Sequence, residues 1–329
     1  MMESYANIYD LMKVKMAQLK EEGINIKSNN EVNKGTLKED LIELPHQFFK
    51  IENSSATILN LPSFRTQPWW MAAELLTEFL ALNPPLMNKY SPDTIESMYK
   101  LTPQGTCEYG YGTRWANWNQ IENARKKLAL NPTSKKVIIQ TWEPQDMFSD
   151  KNDSPCNVNY MLLGRNGKLD LTATIRSNDI MRGVKYDYYL ASFMQQSLAS
   201  WTNMIPGDLY FSINSLHTYG KDAKNLDNIL SELNNNKELP ISLVLPSKLE
   251  SLQYWNDFRH VKKCEEAAYN GAWDSFNYQN DKITIPLFRD FARIFAVKNA
   301  KHYEKPHMAK RYNNELEVNE VKRWVNAGK

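Results

Sequence analysis

Residues 158–177, VNYMLLGRNGKLDLTATIRS, constrain the fold more tightly than any other stretch of the chain. β-branched and apolar residues run through both halves, and the run is interrupted at Asn166-Gly167. That dipeptide accepts the positive φ angles of a tight two-residue connection, so the spacing predicts two antiparallel strands. A lone hairpin is marginal in water and needs further strands and a cover for its apolar face. KKVIIQTW upstream and DLYFSINSLHTY downstream read as further strands, and a helix over about 185–202 as the cover. The expectation is an α+β core.

Helical patterning surrounds that core. Ile8, Leu11, Met12, Met16 and Leu19 follow a helical period that Gly23 can end. The polar run KSNNEVNKGTLKED reads as a loop, and WWMAAELLTEFLAL as a largely buried helix carrying Glu74 and Glu78. Beyond residue 220 the pattern is mostly helical, with Ser247 and Glu250 spaced as a capping box. The chain therefore divides into an N-terminal helix and linking segment (1–60), a core (61–220) and a mostly helical C-terminal extension (221–329).

Net charge is +2 over 329 residues, too small to imply binding to a nucleic-acid polymer. No run approaches the roughly 18 apolar residues of a membrane span, and the start, MMESYANIYDLMKVKMAQLKEEG, alternates charged with apolar residues, unlike a signal peptide. A cytoplasmic protein is expected. Cys107, Cys156 and Cys264 are odd in number and widely spaced, which suggests neither a disulfide framework nor a zinc site.

Cys156 lies in DSPCNVNY, between a polar loop and the first strand of the hairpin. A thiol there is either rigidly held for chemistry or simply packed, and a basic neighbour such as Arg176 would favour the first reading. Ser134, Lys135 and Lys136 offer a hydroxyl and two cations to a phosphate, or form a solvated turn. His217 and Tyr219 share a strand face, suited to a sugar hydroxyl or to a structural pair.

Taken in order, YGTRW, NPTSKK, SPCN, IRSND and PGDLYFSINSLHTY resemble five segments of the thymidylate synthase superfamily: YG-x-x-W, N-P-D-S-R-R, P-C-H, Q-R-S-x-D, and P-G-D to H-x-Y. The resemblance covers about a third of the chain, from Tyr111 to Tyr219. It implies a mixed or antiparallel sheet with packed helices, extended by the C-terminal helices. It implies Cys156 as the nucleophile at pyrimidine C6, Arg176 and Ser177 as phosphate ligands, and His217 and Tyr219 as sugar ligands. Asp179 and Gly183 fall in its folate-binding segment, with 5,10-methylenetetrahydrofolate as one-carbon donor and no metal. The phosphate segment comes from the partner subunit in that family, so Lys135 and Lys136 imply a homodimer; arginines are usual there, and lysine lacks their bidentate fork. A helix glutamate serves as acid/base, here Glu74, with Glu78 one turn further on as the alternative. The glycine-flanked N-terminal arginine loop has no clear counterpart, Arg65 being a weak substitute, and the tail RWVNAGK lacks the usual short apolar terminus.

Asp187, in GVKYDYY, stands where thymidylate synthases carry the asparagine that reads uracil. A carboxyl group can accept from the N4 amino group of cytosine and share a proton towards N3, whereas an amide suits uracil. The resemblance thus moves towards the phage-type deoxycytidylate and related cytidylate hydroxymethylases, and implies conversion of dCMP, favoured over CMP, to the 5-hydroxymethyl nucleotide with release of tetrahydrofolate. A dUMP methylase or hydroxymethylase, and a non-catalytic nucleotide- or RNA-binding regulator, are the alternatives.

Overall fold

The computed structural model describes residues 2–27, 40–52, 56–92, 107, 110–148, 154–236 and 241–326. Nearly all of the expected loop over 27–40 lies outside the described residues. The chain forms two compact units interleaved in sequence. The first comprises Met1–Arg65, Gln120–Phe148 and Pro155–Val244; the second comprises Thr66–Asn119, Ser149–Ser154 and Leu245–Lys329.

The first unit is built on a mixed sheet. Its strands are β1 (Glu3–Tyr5), β2 (Ile24–Ile26), β3 (Leu41–Ile51), β4 (Ala56–Ile58), β5 (Ile138–Gln140), β6 (Asn157–Arg165), β7 (Lys168–Ile175), β8 (Asn178–Asp179), β9 (Ile205–Tyr219) and β10 (Ile241–Leu243). The main order is β1-β3-β9-β7-β6-β5, with β2 on β3 and β8 on β9, while β4 and β10 form a separate pair. The hairpin forms as expected: β6 and β7 pair antiparallel through Arg165↔Lys168, and Asn166 and Gly167 take φ values of 50° and 74°. β9 is the spine, antiparallel to β3 and parallel to β7 and β8.

The parallel β7–β9 pair requires a crossover, which the Val184–Trp201 helix supplies. Period-2 alternation turns Tyr160, Leu162, Leu171, Ala173, Phe211 and Ile213 inward, and Tyr188 of the helix packs on Phe211 with ring centroids 6.5 Å apart. Each fully buried large apolar side chain contributes about 1.5–3 kcal/mol. Gln195, buried within the same helix, donates to the carbonyls of Leu169 and Asp208 at 2.8 and 3.0 Å, which satisfies its amide N–H groups. The opposite sheet face leaves Phe48, Met161 and Leu163 exposed.

The second unit is helical: Pro68–Phe79, Leu86–Tyr90, Tyr111–Ala116, Ser251–Tyr269, Trp273–Asn280, Pro286–His302, Pro306–Asn314 and Asn319–Asn326. Phe258 and Tyr254 pack against Phe288 with centroids 4.7 and 4.9 Å apart. Trp324 donates to the Thr66 carbonyl at 2.8 Å, docking the last helix.

Several local expectations are corrected. Within KKVIIQTW only Ile138–Gln140 is strand, and Ile241–Leu243, in the region read as helical, pairs with β4. The Ser247–Glu250 capping box does not form, because the helix starts at Ser251 with Glu250 at its N-cap and no side-chain cap bond. Asp257 from that helix instead holds the entry to the Pro286–His302 helix, accepting from the N–H groups of Thr284 and Ile285 at 2.8 Å each.

Candidate active site

Cys156 sits immediately before β6, partly exposed, at the point where the polar segment turns into the sheet. Its carbonyl accepts from the Arg176 N–H at 2.9 Å, and the Arg176 Nε donates to the Pro155 carbonyl at 2.9 Å. The side chain of Arg176 is thereby pinned against the turn that carries the thiol, with its guanidinium 5.3 Å from the Trp142 ring centroid. On the other side, Thr141 donates to Asn157 Oδ1 at 2.7 Å, both residues being fully buried. The β6–β7 pairing brings Arg176 to the turn that carries Cys156, which sequence spacing alone did not reveal.

β8 and the helix after it supply the next group. Register places Asp179 opposite His217. Asp179 Oδ1 accepts from the Met181 N–H at 2.8 Å, and Arg182 approaches Oδ2 at 3.7 Å. Burial raises the Asp179 carboxyl above its ordinary range, against the pull of the Met181 N–H, His217 and Arg182. Burial likewise lowers His217, opposed by Asp179. His217 and Tyr219 meet edge-to-face at 5.3 Å, and Ser215 lies 3.4 Å from His217 Nδ1.

Gly183 accepts through its carbonyl from the Asp187 N–H at 2.9 Å and donates to the Asp179 carbonyl at 2.7 Å, so it links the two acid-bearing segments through the backbone. Burial pushes the Asp187 carboxyl up to about 7. The neighbouring Asn178 amide opposes that shift. Lys185, in the same helical turn, lies 4.0 Å from the Phe64 ring centroid, and burial brings its ammonium down to about 8. Ser177 connects Arg176 to β8, partly exposed. Lys135 and Lys136 are exposed before β5, while Ser134 is buried and its hydroxyl accepts from the Lys136 N–H at 3.2 Å.

Glu74 and Glu78 belong to the second unit. Glu74 is partly buried on the Pro68–Phe79 helix. Glu78 is 7% exposed, and its carboxylate accepts from the backbone N–H of Gly112 in the YGTRW segment. A Cβ at Gly112 would collide with the Glu78 backbone carbonyl, so only glycine permits that approach.

Sequence reasoning missed Asn178, Thr141, Trp142 and Lys185. Asn178 stands inside the IRSND segment, so its position was legible there; the other three gave no signal, because their proximity depends on strand register and ring packing.

The Thymidylate synthase family model matches residues 18–263 of the chain. Curated relatives described as putative thymidylate synthases, from Methanosarcina barkeri and Methanosarcina acetivorans, are each 32% identical over 131 residues, 39% of this chain and 60% of theirs. The chain thus spans about 60% of the length of those relatives. Among solved structures, thermostable thymidylate synthase A from Bacillus subtilis superposes with a TM-score of 0.60 at 19% identity, covering 74% of this chain and 90% of that one. That likeness is one of fold.

Proposed function

The chain belongs to the thymidylate synthase family, and from that premise we propose that it transfers a one-carbon unit to C5 of a cytidine monophosphate, dCMP before CMP, and hydrates it to the 5-hydroxymethyl nucleotide. The observation that carries the reading is a carboxylic acid at 187, held by burial near a pKa of about 7. At that value both protonation states are accessible, so one oxygen can accept from the cytosine amino group while the other shares a proton towards N3.

Cys156 adds to C6, which makes C5 nucleophilic, and Arg176 is pinned against the same turn. Arg176 and Ser177 hold the phosphate, and His217 and Tyr219 the sugar. The Asp179 carboxyl, desolvated beside Gly183, suits the donor-rich edge of a pterin. Methylenetetrahydrofolate, when bound, supplies carbon at the oxidation level of formaldehyde, so hydration yields the hydroxymethyl group and leaves tetrahydrofolate unoxidised. Glu78 has a structural task at Gly112, and the acid/base role is assigned to Glu74. A homodimer in which Lys135 and Lys136 reach the partner's phosphate site is supported by the exposed Phe48, Met161 and Leu163 of one sheet face.

Mass spectrometry of products from dCMP, CMP and dUMP with methylenetetrahydrofolate tests the reading. A 5-hydroxymethyl cytidylate, absent with Cys156→Ala, is expected. Methylated dUMP would replace the reading with that of a thymidylate-forming enzyme, and no product at all would favour a nucleotide-binding regulator.

A further inference from the structure

Asn178 is 2% exposed, yet neither atom of its side-chain amide completes a hydrogen bond among the described residues. An unanswered buried amide is destabilising, so its retention calls for a reason. Three observations locate that reason. Asn178 is the polar neighbour that favours the ionised form of Asp187, although the contact stops short of a full hydrogen bond. A Cβ at residue 183 would collide with Asn178 Oδ1, so Gly183 is what leaves room for the amide. The same glycine opens the helix that carries Asp187 and binds the Asp187 N–H. Amide, glycine and carboxyl form one constructed corner.

We propose that Asn178 is a positioning residue that sets the base preference of Asp187: when the nucleotide is bound, its N–H donates to one carboxyl oxygen, marks that oxygen as an acceptor, and leaves the other to carry the proton. The order matters because the two pyrimidine edges are mirror cases. A 4-amino edge offers a donor beside an unprotonated ring nitrogen, and needs acceptor and donor on the carboxyl in that sequence. A 4-oxo edge offers an acceptor beside N3–H and needs the reverse. A carboxyl with two equivalent oxygens could rotate its proton to suit either; one whose oxygens are distinguished by an amide favours one edge. This inference rests on the reading of Asp187 as the group that meets the base.

The test is the ratio of kcat/KM for dCMP to that for dUMP, with methylenetetrahydrofolate, in the wild-type chain and in Asp187→Asn, Asn178→Leu and Asn178→Ser. Asn178→Leu keeps the volume and removes the amide, while Asn178→Ser keeps a shorter donor. The expected result is a fall of about tenfold in the ratio for the leucine variant, carried by dCMP, with the serine variant between it and wild type. Should the leucine variant fail to fold, the serine variant and the dissociation constants of dCMP and dUMP carry the same comparison. A purely structural role would depress both substrates together and leave the ratio where it was. If wild type prefers dCMP and Asp187→Asn removes that preference, an unchanged ratio at 178 overturns this inference alone. If Asp187→Asn leaves the ratio unaltered, the reading beneath it falls, and this inference with it.

Discussion

Asp290 and Asp187 are both aspartates on helices with carboxyl groups shielded from water, and the two units treat them differently. Burial raises both acids. In the helical unit, Asp290 accepts from the N–H groups of Glu317 and Val318 at 2.8 Å each and faces Arg293 at 3.3 Å. In the same unit, Glu265, with no exposed surface, accepts from Lys89 at 2.9 Å, Tyr90 at 2.6 Å and Lys262 at 3.1 Å. These carboxylates join segments distant in sequence and have their bonding capacity taken up by the fold. In the sheet unit, the Asn178 amide is the polar neighbour of the Asp187 carboxyl, and Lys185 stands over an aromatic ring with no ion pair among the described residues. A desolvated group that the protein does not answer is costly, and the cost makes sense where a ligand supplies the missing partner.

The largest effect is expected at Cys156. Cys156→Ala is expected to reduce turnover by about 10³-fold or more while nucleotide binding, measured by calorimetry, persists. Loss of binding together with activity would mean that the thiol serves packing.

Replacing Asp187 by asparagine should abolish cytidylate turnover and also stabilise the protein at alkaline pH. The folded pKa, about 7, lies above the ordinary 3.8, so the folded state holds the proton more tightly. The stability contributed by this group is therefore highest at low pH and declines as pH climbs from about 4 through 7. The Asp187→Asn variant would escape that decline, raising Tm at pH 8 but not near pH 4, by roughly 2–4 °C for each kcal/mol recovered. Equal Tm differences at both pH values would show that the carboxyl is well solvated.

Asp290→Ala serves as the contrasting arm. Removing an acid that answers two N–H groups and an arginine should cost about 3 kcal/mol in urea unfolding, with kcat of the folded enzyme unchanged. The smallest effect is expected at the hairpin: Gly167 has φ +74° and open space around it, so Gly167→Ala should cost about 1 kcal/mol from backbone strain alone.

How much was legible in advance follows the range of the interactions. Asn166-Gly167 announced its turn because the required φ angles are local properties of those two residues. The helices at 8–22 and 184–201 showed in the apolar period. Ser247 misled because a capping box is one of several local options, and Asp257, ten residues from Ser247, holds the entry to the Pro286–His302 helix through space. β10 was missed since three residues carry almost no periodic signal and gain their pairing from β4, far away in the chain.

The hairpin, the order of the five family-like segments and the identity of the acid at 187 depend on residue type and short spacing, and are legible without any fold. Tertiary structure decided what those residues meet. The parallel register of β8 on β9 sets Asp179 against His217, the β6–β7 pairing sets Arg176 against the Cys156 turn, and the missing Cβ of Gly183 admits Asn178 beside Asp187. A shift of one residue in register would turn these side chains to the other face, so they are properties of the assembled sheet and of no single segment.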